Sequence, residues 1–141
     1  MELCCVHDIT RTTDSCHNGP FSSNLLLDRD FPTAPDQVLV GDVTYVPLAG
    51  SNWAYLAAWI CLFSWKIKGW SWAKHMEEEL VHGALRQVIG SNQLVVGSII
   101  HSDGGGQYIG KHFRKTLLDH RFVQSMSRPD DPYDNAFMEF C

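Results

Sequence analysis

The sequence predicts an α/β fold, a mixed five-stranded sheet with helices on its faces, and two observations carry that expectation. Three runs rich in β-branched and aromatic residues lie between Gln37 and Lys74 with only short turns separating them, which implies an antiparallel meander. Thereafter the apolar spacing becomes that of a helix, and helix and strand alternate to the end, in the order βββαβαβα. Length and composition agree, since 141 residues, 45% hydrophobic and 19% charged, can bury one globular core.

Residues 1–36 carry little periodicity, and "TTDSCHNGP" and "DRDFPTAPDQ" are dense in turn formers, so this part reads as an extended arm or linker. The globular part is expected over residues 37–141. "QVLVGDVTYV" suits a first strand and runs into Pro47; "LAGSN" turns the chain. "WAYLAAWICLFSW" continues as a second strand and "KIKGWSWAK" as a short third. In "AKHMEEELVHGALRQVIG", Leu80, Val81, Ala84, Leu85, Val88 and Ile89 fall on one helical face, and Gly90 stops the helix. The unbroken apolar run of "QLVVGSIIHSD" suits a fourth strand covered on both sides. "KHFRKTLLDH" places Phe113 and Leu117 four apart, as in a helix, and "RFVQSMS" makes a fifth strand. "RPDDPYDN" is a loop, and "DNAFMEFC" opens a last helix with Asp134 as its N-cap.

Several function classes are set aside by composition. The longest apolar run, "WAYLAAWICLF", is far short of the roughly 20 residues a membrane helix needs. "MELCCVHDITRTTD" lacks the basic flank and apolar centre of a secretory signal, so a cytoplasmic location and no membrane partner are expected. Cys4, Cys5, Cys16, Cys61 and Cys141 fit no disulfide framework and no C-x-x-C zinc pattern, and read as reduced thiols. "DGGGQY" lacks the Lys-Ser/Thr of a phosphate-binding loop, so no nucleotide cofactor is expected. A net charge of −5 opposes broad attraction to a polyanion, although Lys111, Arg114, Lys115, Arg121 and Arg128 cluster locally. On charge alone that cluster reads as a solvated helix face.

Three acids stand out. Asp42 lies mid-strand between apolar neighbours, Asp103 directly follows the fourth strand, and Glu139 lies one turn into the last helix. An aspartate mid-strand is unfavourable by propensity and costly to bury, and such local violations gather at functional sites. If the first and fourth strands are neighbours, Asp42 and Asp103 converge at one edge of the sheet, where their mutual repulsion calls for a cation. Hard oxygen ligands suit Mg2+ or Mn2+, and two such ions about 3.5–4 Å apart can clamp both oxygens of a phosphodiester displacement. Each acid also has a plain alternative: Asp103 as a turn former, Glu139 as a surface residue, Asp42 as the partner of a buried arginine.

"APDQVLVGDVTYVP", "YLAAWICLFSWKIKGW", "HSDGGGQY" and "QSMSRPDDPYDNAFMEF" occur in the order found in one family. From about Thr12 to Cys141 the chain resembles the integrase catalytic core of bacterial insertion-sequence transposases, which are related to retroviral integrases. The 35 residues separating Asp103 from Glu139 match the spacing that names the D,D-35-E group. The resemblance implies an RNase H-like fold, with Asp42, Asp103 and Glu139 as catalytic metal ligands. It also implies hydrolysis of one DNA strand at an element end, followed by attack of the freed 3′-OH on another phosphodiester. DNA ends, target DNA, and a second copy or a full-length transposase are the implied partners. Tyr45, His101, Gln107, Ser127 and Asn135 also match and are expected to support the acids or contact DNA; Lys111, Arg114, Lys115 and Arg128 join them as candidate DNA contacts.

The family usually has tryptophan where Leu39 stands, aspartate at Cys61, and arginine at Trp65 and Gly104. Losing positive charge beside DNA phosphates weakens binding. From Asp134 the last helix has eight residues, about 12 Å long, and a helix so short is marginal without tertiary support. The expectation is therefore a C-terminally truncated transposase core with an intact acid triad and weak or no activity. The alternatives are a non-catalytic DNA-binding or oligomerising transposase remnant, and an RNase H-like nuclease acting on RNA–DNA hybrids.

Overall fold

A computed structural model describes residues 22–127 other than Asp28. The expected last helix, from Asp134, lies outside the described residues, as do Arg128, Asn135 and Glu139.

Within those bounds the sheet comprises β1 (Val38–Pro47), β2 (Trp53–Cys61), β3 (Ile67–Ala73), β4 (Ile99–Ser102) and β5 (Val123–Met126), in the spatial order β3-β2-β1-β4-β5. β1, β2 and β3 form the antiparallel meander, while β4 lies parallel to β1 and β5 parallel to β4. The crossovers contain α1 (Glu78–Gly90) and α2 (Lys111–Asp119), preceded by a 3-10 turn at Gly106–Tyr108.

The two-residue period of β1 sorts its side chains between two cores. Leu39 faces the larger core, with Trp59, Leu85, Val88, Phe113 and Leu117, and half-buried Val43 packs against it. Val38 and Val40 face a smaller cluster with Ile99, Leu62 and half-buried Leu26. Gly41 belongs to the larger side, where a Cβ would overlap the indole of Trp59. The apolar face expected for α1 is the observed one, with Leu80, Val81, Ala84, Leu85 and Val88 buried. Its acidic first turn, Glu78 and Glu79, complements the helix dipole.

Two strands are shorter than their apolar runs suggest. β2 stops at Cys61 rather than Trp65 because Trp65 N–H donates to the Cys61 carbonyl at 2.8 Å and Trp65 turns left-handed, with φ 58°. β4 begins at Ile99 rather than Gln93 because Gly97, at φ 88°, turns the chain just before it. Val95 and Val96 are left exposed, whereas all four residues of β4 are buried between two neighbouring strands.

The described part of the expected arm contains no helix or strand, yet it is tied to the sheet. Leu25 N–H donates to Ser125 Oγ at 2.9 Å, and Asp36 pairs with Lys68 at 2.9 Å. Cys61, the one cysteine among the described residues, is a buried free thiol.

Candidate active site

Parallel pairing of β1 with β4 matches Val40 to His101. Two residues beyond this last pair come Asp42, within β1, and Asp103, just past β4, so both lie at the same end of neighbouring strands, whose usual spacing is about 4.8 Å. The two-residue period puts Asp42 on the side of Val38 and Val40, away from Trp59. Asp103 stands one residue past the end of β4, where the ladder stops and the chain is free to turn.

Local bonds hold both carboxylates. Asp42 Oδ1 accepts its neighbour's N–H, from Val43, at 2.8 Å. Asp103 Oδ1 accepts the N–H of Gly105 at 2.8 Å. A Cβ at residue 105 would lie 2.7 Å from Gln107 Nε2 and 2.9 Å from Asp103 Oδ1, so glycine there lets both side-chain ends keep these positions. Burial pushes the Asp103 carboxyl above its ordinary range, with the Gly105 N–H pulling weakly the other way. A half-buried carboxylate with a second one on the neighbouring strand is an environment a divalent cation relieves, and the hard oxygen donors suit Mg2+ or Mn2+. Among the described residues no three His, Cys, Asp or Glu side chains gather into a metal-holding group, and the third acid, Glu139, lies outside them.

His101 is a strut inside the sheet. Its ring is buried, with Nδ1 2.8 Å from Ser125 Oγ and Nε2 3.1 Å from Ser127 Oγ. Ser127 N–H also donates to the Ser102 carbonyl at 2.9 Å. His101 and Ser127 thus clamp β5 to the end of β4 from which Asp103 projects. Gln107 is buried in the 3-10 turn beside Gly105.

The other sequence candidates sit apart from Asp42. Tyr45, three residues along β1, is on the opposite face, packed against Tyr55 at 5.1 Å and Trp53 at 6.3 Å between ring centroids. Lys111, Arg114 and Lys115 belong to α2, whose buried Phe113 stacks on Trp59 on that opposite side. Lys115 forms an i,i+4 ion pair with Asp119 at 2.7 Å, in keeping with a solvated helix face.

Sequence reasoning missed Tyr108. Its ring packs edge-on against Trp59 and Phe113, and its hydroxyl is wholly buried with no hydrogen-bond partner among the described residues. Burial, then the charges of Asp103 and Asp42, hold this phenol far above its ordinary pKa.

A sheet ordered β3-β2-β1-β4-β5, with β4 and β5 parallel to β1 and joined through helical crossovers, is an RNase H-like fold. Solved structures agree on the fold. The simian T-cell lymphotropic virus intasome, in complex with a PP2A regulatory subunit, superposes with a TM-score of 0.68 at 18% identity, over 92% of this chain and 44% of that one. The HTLV-2 integrase catalytic core domain, in complex with magnesium, gives 0.59 at 19% identity, over 76% of this chain and 83% of that one. The chain belongs to the integrase core domain family, which matches residues 32–132. It is 42% identical over 107 residues to the transposase for insertion sequence element IS904 of Lactococcus lactis, covering 76% of this chain and 42% of that relative. It is 35% identical over 123 residues to transposase InsF for insertion sequence IS3A of Escherichia coli, covering 87% and 42%. The chain therefore spans less than half the length of these relatives.

Proposed function

We propose that this chain is the catalytic core of an insertion-sequence DNA transposase, in which Asp42, Asp103 and Glu139 hold divalent ions at the scissile phosphodiester. The observation that carries the reading is the parallel pairing of β1 with β4, which brings Asp42 in β1 and Asp103 just past β4 to the same end of neighbouring strands. Two Mg2+ or Mn2+ ions, when bound, would activate the attacking water or 3′-hydroxyl and stabilise charge at phosphorus.

The chain's own residues do the positioning. Gly105 N–H holds one oxygen of Asp103, and the His101–Ser125–Ser127 clamp holds the strand end that carries it. Partial burial around Asp103 reduces the screening of its charge by water. Element ends and target DNA are the substrates of this reading. A second copy or a full-length transposase is its protein partner, and the cytoplasm its compartment. Among the described residues no helix is long and apolar enough to cross a membrane.

The test is Mg2+ titration by calorimetry together with Mg2+-dependent nicking of DNA that carries the element ends. Asp42→Asn and Asp103→Asn should each abolish metal binding and nicking, and Glu139→Gln should abolish nicking. An Asp42→Asn protein that binds Mg2+ as tightly as the unmutated chain refutes the reading.

A further inference from the structure

β5 is the last strand on its side of the sheet, and an edge strand leaves every second backbone N–H without a neighbouring strand. Val123 and Ser127 turn theirs inward, donating to the carbonyls of Ser98 and Ser102 at 2.9 Å each. Met126 N–H therefore faces outward, and there it donates to the Ser23 carbonyl at 3.3 Å. The same short segment makes two more bonds to β5. Ser22 Oγ donates to Gln124 Oε1 at 3.2 Å, and Leu25 N–H donates to Ser125 Oγ at 2.9 Å. Asn24 Oδ1 accepts the Leu26 N–H at 2.9 Å, which turns the segment, and Leu26 packs on the cluster of Val38, Val40, Leu62 and Ile99. Residues 22–26, part of the arm expected from the sequence, thus cover the open edge of the sheet. They precede the part of the chain that the integrase core family matches, which begins at residue 32.

The bond from Leu25 continues toward the site. Ser125 is wholly buried, and its oxygen already accepts the Leu25 N–H. Its own hydrogen then has one acceptor in reach among the described residues, His101 Nδ1 at 2.8 Å. The ring accordingly carries its proton on Nε2, which donates to Ser127 Oγ at 3.1 Å. Ser127 N–H in turn holds the Ser102 carbonyl, one residue before Asp103. The links from Leu25 to Ser127 all point one way, and bonds so aligned away from water reinforce one another.

We propose that residues 22–26 are a working part of the catalytic core, a brace on β5 that acts through Ser125 and His101 to hold the strand end carrying Asp103. Ser125 is the positioning residue at the joint. Its role at the metal rests on the reading of Asp42 and Asp103 as metal ligands, whereas the brace itself is measurable without an ion.

The test uses the full 141-residue chain and three variants. Leu25→Pro removes the N–H that starts the chain of bonds, Leu25→Ala keeps it while trimming a part-exposed side chain, and Ser125→Ala cuts the same link from β5. In chelator, amide exchange at Ser127 should quicken about threefold to tenfold in Leu25→Pro and Ser125→Ala, and stay unchanged in Leu25→Ala. Exchange at Leu85, buried in α1, should stay unchanged in all three, which separates loosening of the strand end from general unfolding. Nitrogen-15 spectra of the unmutated chain should place the His101 proton on Nε2. Calorimetry should show Mg2+ binding weakened about twofold to tenfold by Leu25→Pro and Ser125→Ala, but not by Leu25→Ala. Equal Ser127 exchange in Leu25→Pro and Leu25→Ala overturns the brace and leaves the carboxylate reading standing, as does a His101 proton found on Nδ1. Quickened exchange with undiminished Mg2+ affinity overturns its role at the site. Mg2+ binding indifferent to Asp42→Asn removes the carboxylate reading itself, and the role of the brace in it.

Discussion

The carboxylate of Glu78, in the first turn of α1, accepts the backbone N–H of Phe113 in the first turn of α2. α2 has no side-chain cap of its own, since its N-cap position is Gly110, and a Cβ at Gly110 would overlap the same carboxylate. One helix therefore caps another. The arrangement locks α2, and through Phe113 the aromatic cluster that supports Tyr108. Glu78→Ala should destabilise the fold by about 1–2 kcal/mol, the usual cost of a lost N-cap. Glu78→Gln keeps an acceptor oxygen and should lose less. Urea unfolding followed by circular dichroism measures both, and an Ala variant as stable as the parent would remove Glu78 from the account.

Gly69 of β3 faces α1 at a distance no side chain allows: a Cβ would overlap the Ala84 carbonyl and come within 2.7 Å of Val88 Cγ2. The helix cannot lift away, because Leu85 and Val88 are themselves fully buried. Gly69→Ala should therefore cost about 1–3 kcal/mol as overpacking, despite the better strand propensity of alanine. Gly106, where nothing lies within 4 Å of an added Cβ, is the control and should tolerate alanine with little loss. Thermal unfolding of the two variants side by side tests the contrast.

Much of this architecture was legible in the residues, and the failures have physical causes. The β-branched and aromatic content of β1 and the one-faced spacing of Leu80, Val81, Ala84, Leu85 and Val88 predicted a strand and a helix packed on the sheet, because burial selects those residues and that spacing. The two-residue period of a strand already puts Tyr45 and Asp42 on opposite faces, three residues being an odd number of strand steps. Val95 and Val96 misled because an apolar pair looks like strand, while the turn at Gly97 that exposes them is a conformational fact. Tyr108 and Glu78 were invisible for a different reason. Tyr108 packs on Trp59 and Glu78 accepts from Phe113, relations across the chain that arise only when the crossovers close.

His101 was expected to support the acids, and the geometry makes that support mechanical. Serine hydroxyls lie within hydrogen-bond reach of both ring nitrogens, so the ring cannot offer either lone pair to a metal without breaking a contact. His101→Phe should destabilise the protein by about 1–3 kcal/mol, because the Ser125 and Ser127 hydroxyls lose a buried partner. Mg2+ should still bind with unchanged stoichiometry, at affinity reduced only as far as the β4 end loosens. Calorimetry that showed one ion fewer in His101→Phe would instead make the histidine a ligand.

Asp103 gives the sharpest pH signature, and its sign follows from burial. Its folded-state pKa is raised above the ordinary value of 3.8 by removal from water, so between those two values the native state binds more protons than the unfolded chain. Stability contributed by this group is therefore full below about pH 3.8 and is lost as pH rises through the folded value. Asp103→Asn keeps an oxygen for the Gly105 N–H but never ionises, so it should be more stable than the parent at pH 7 in chelator. That advantage should vanish as pH falls below the ordinary carboxylate range, where the parent aspartate is itself neutral. Mg2+ should reverse the ranking at pH 7, stabilising the parent through the charge that destabilises the empty site while leaving Asp103→Asn unmoved. Melting temperatures across pH, with and without Mg2+, read all three effects. A parent chain more stable than Asp103→Asn at pH 7 in chelator would mean that its carboxylate is already compensated within the fold.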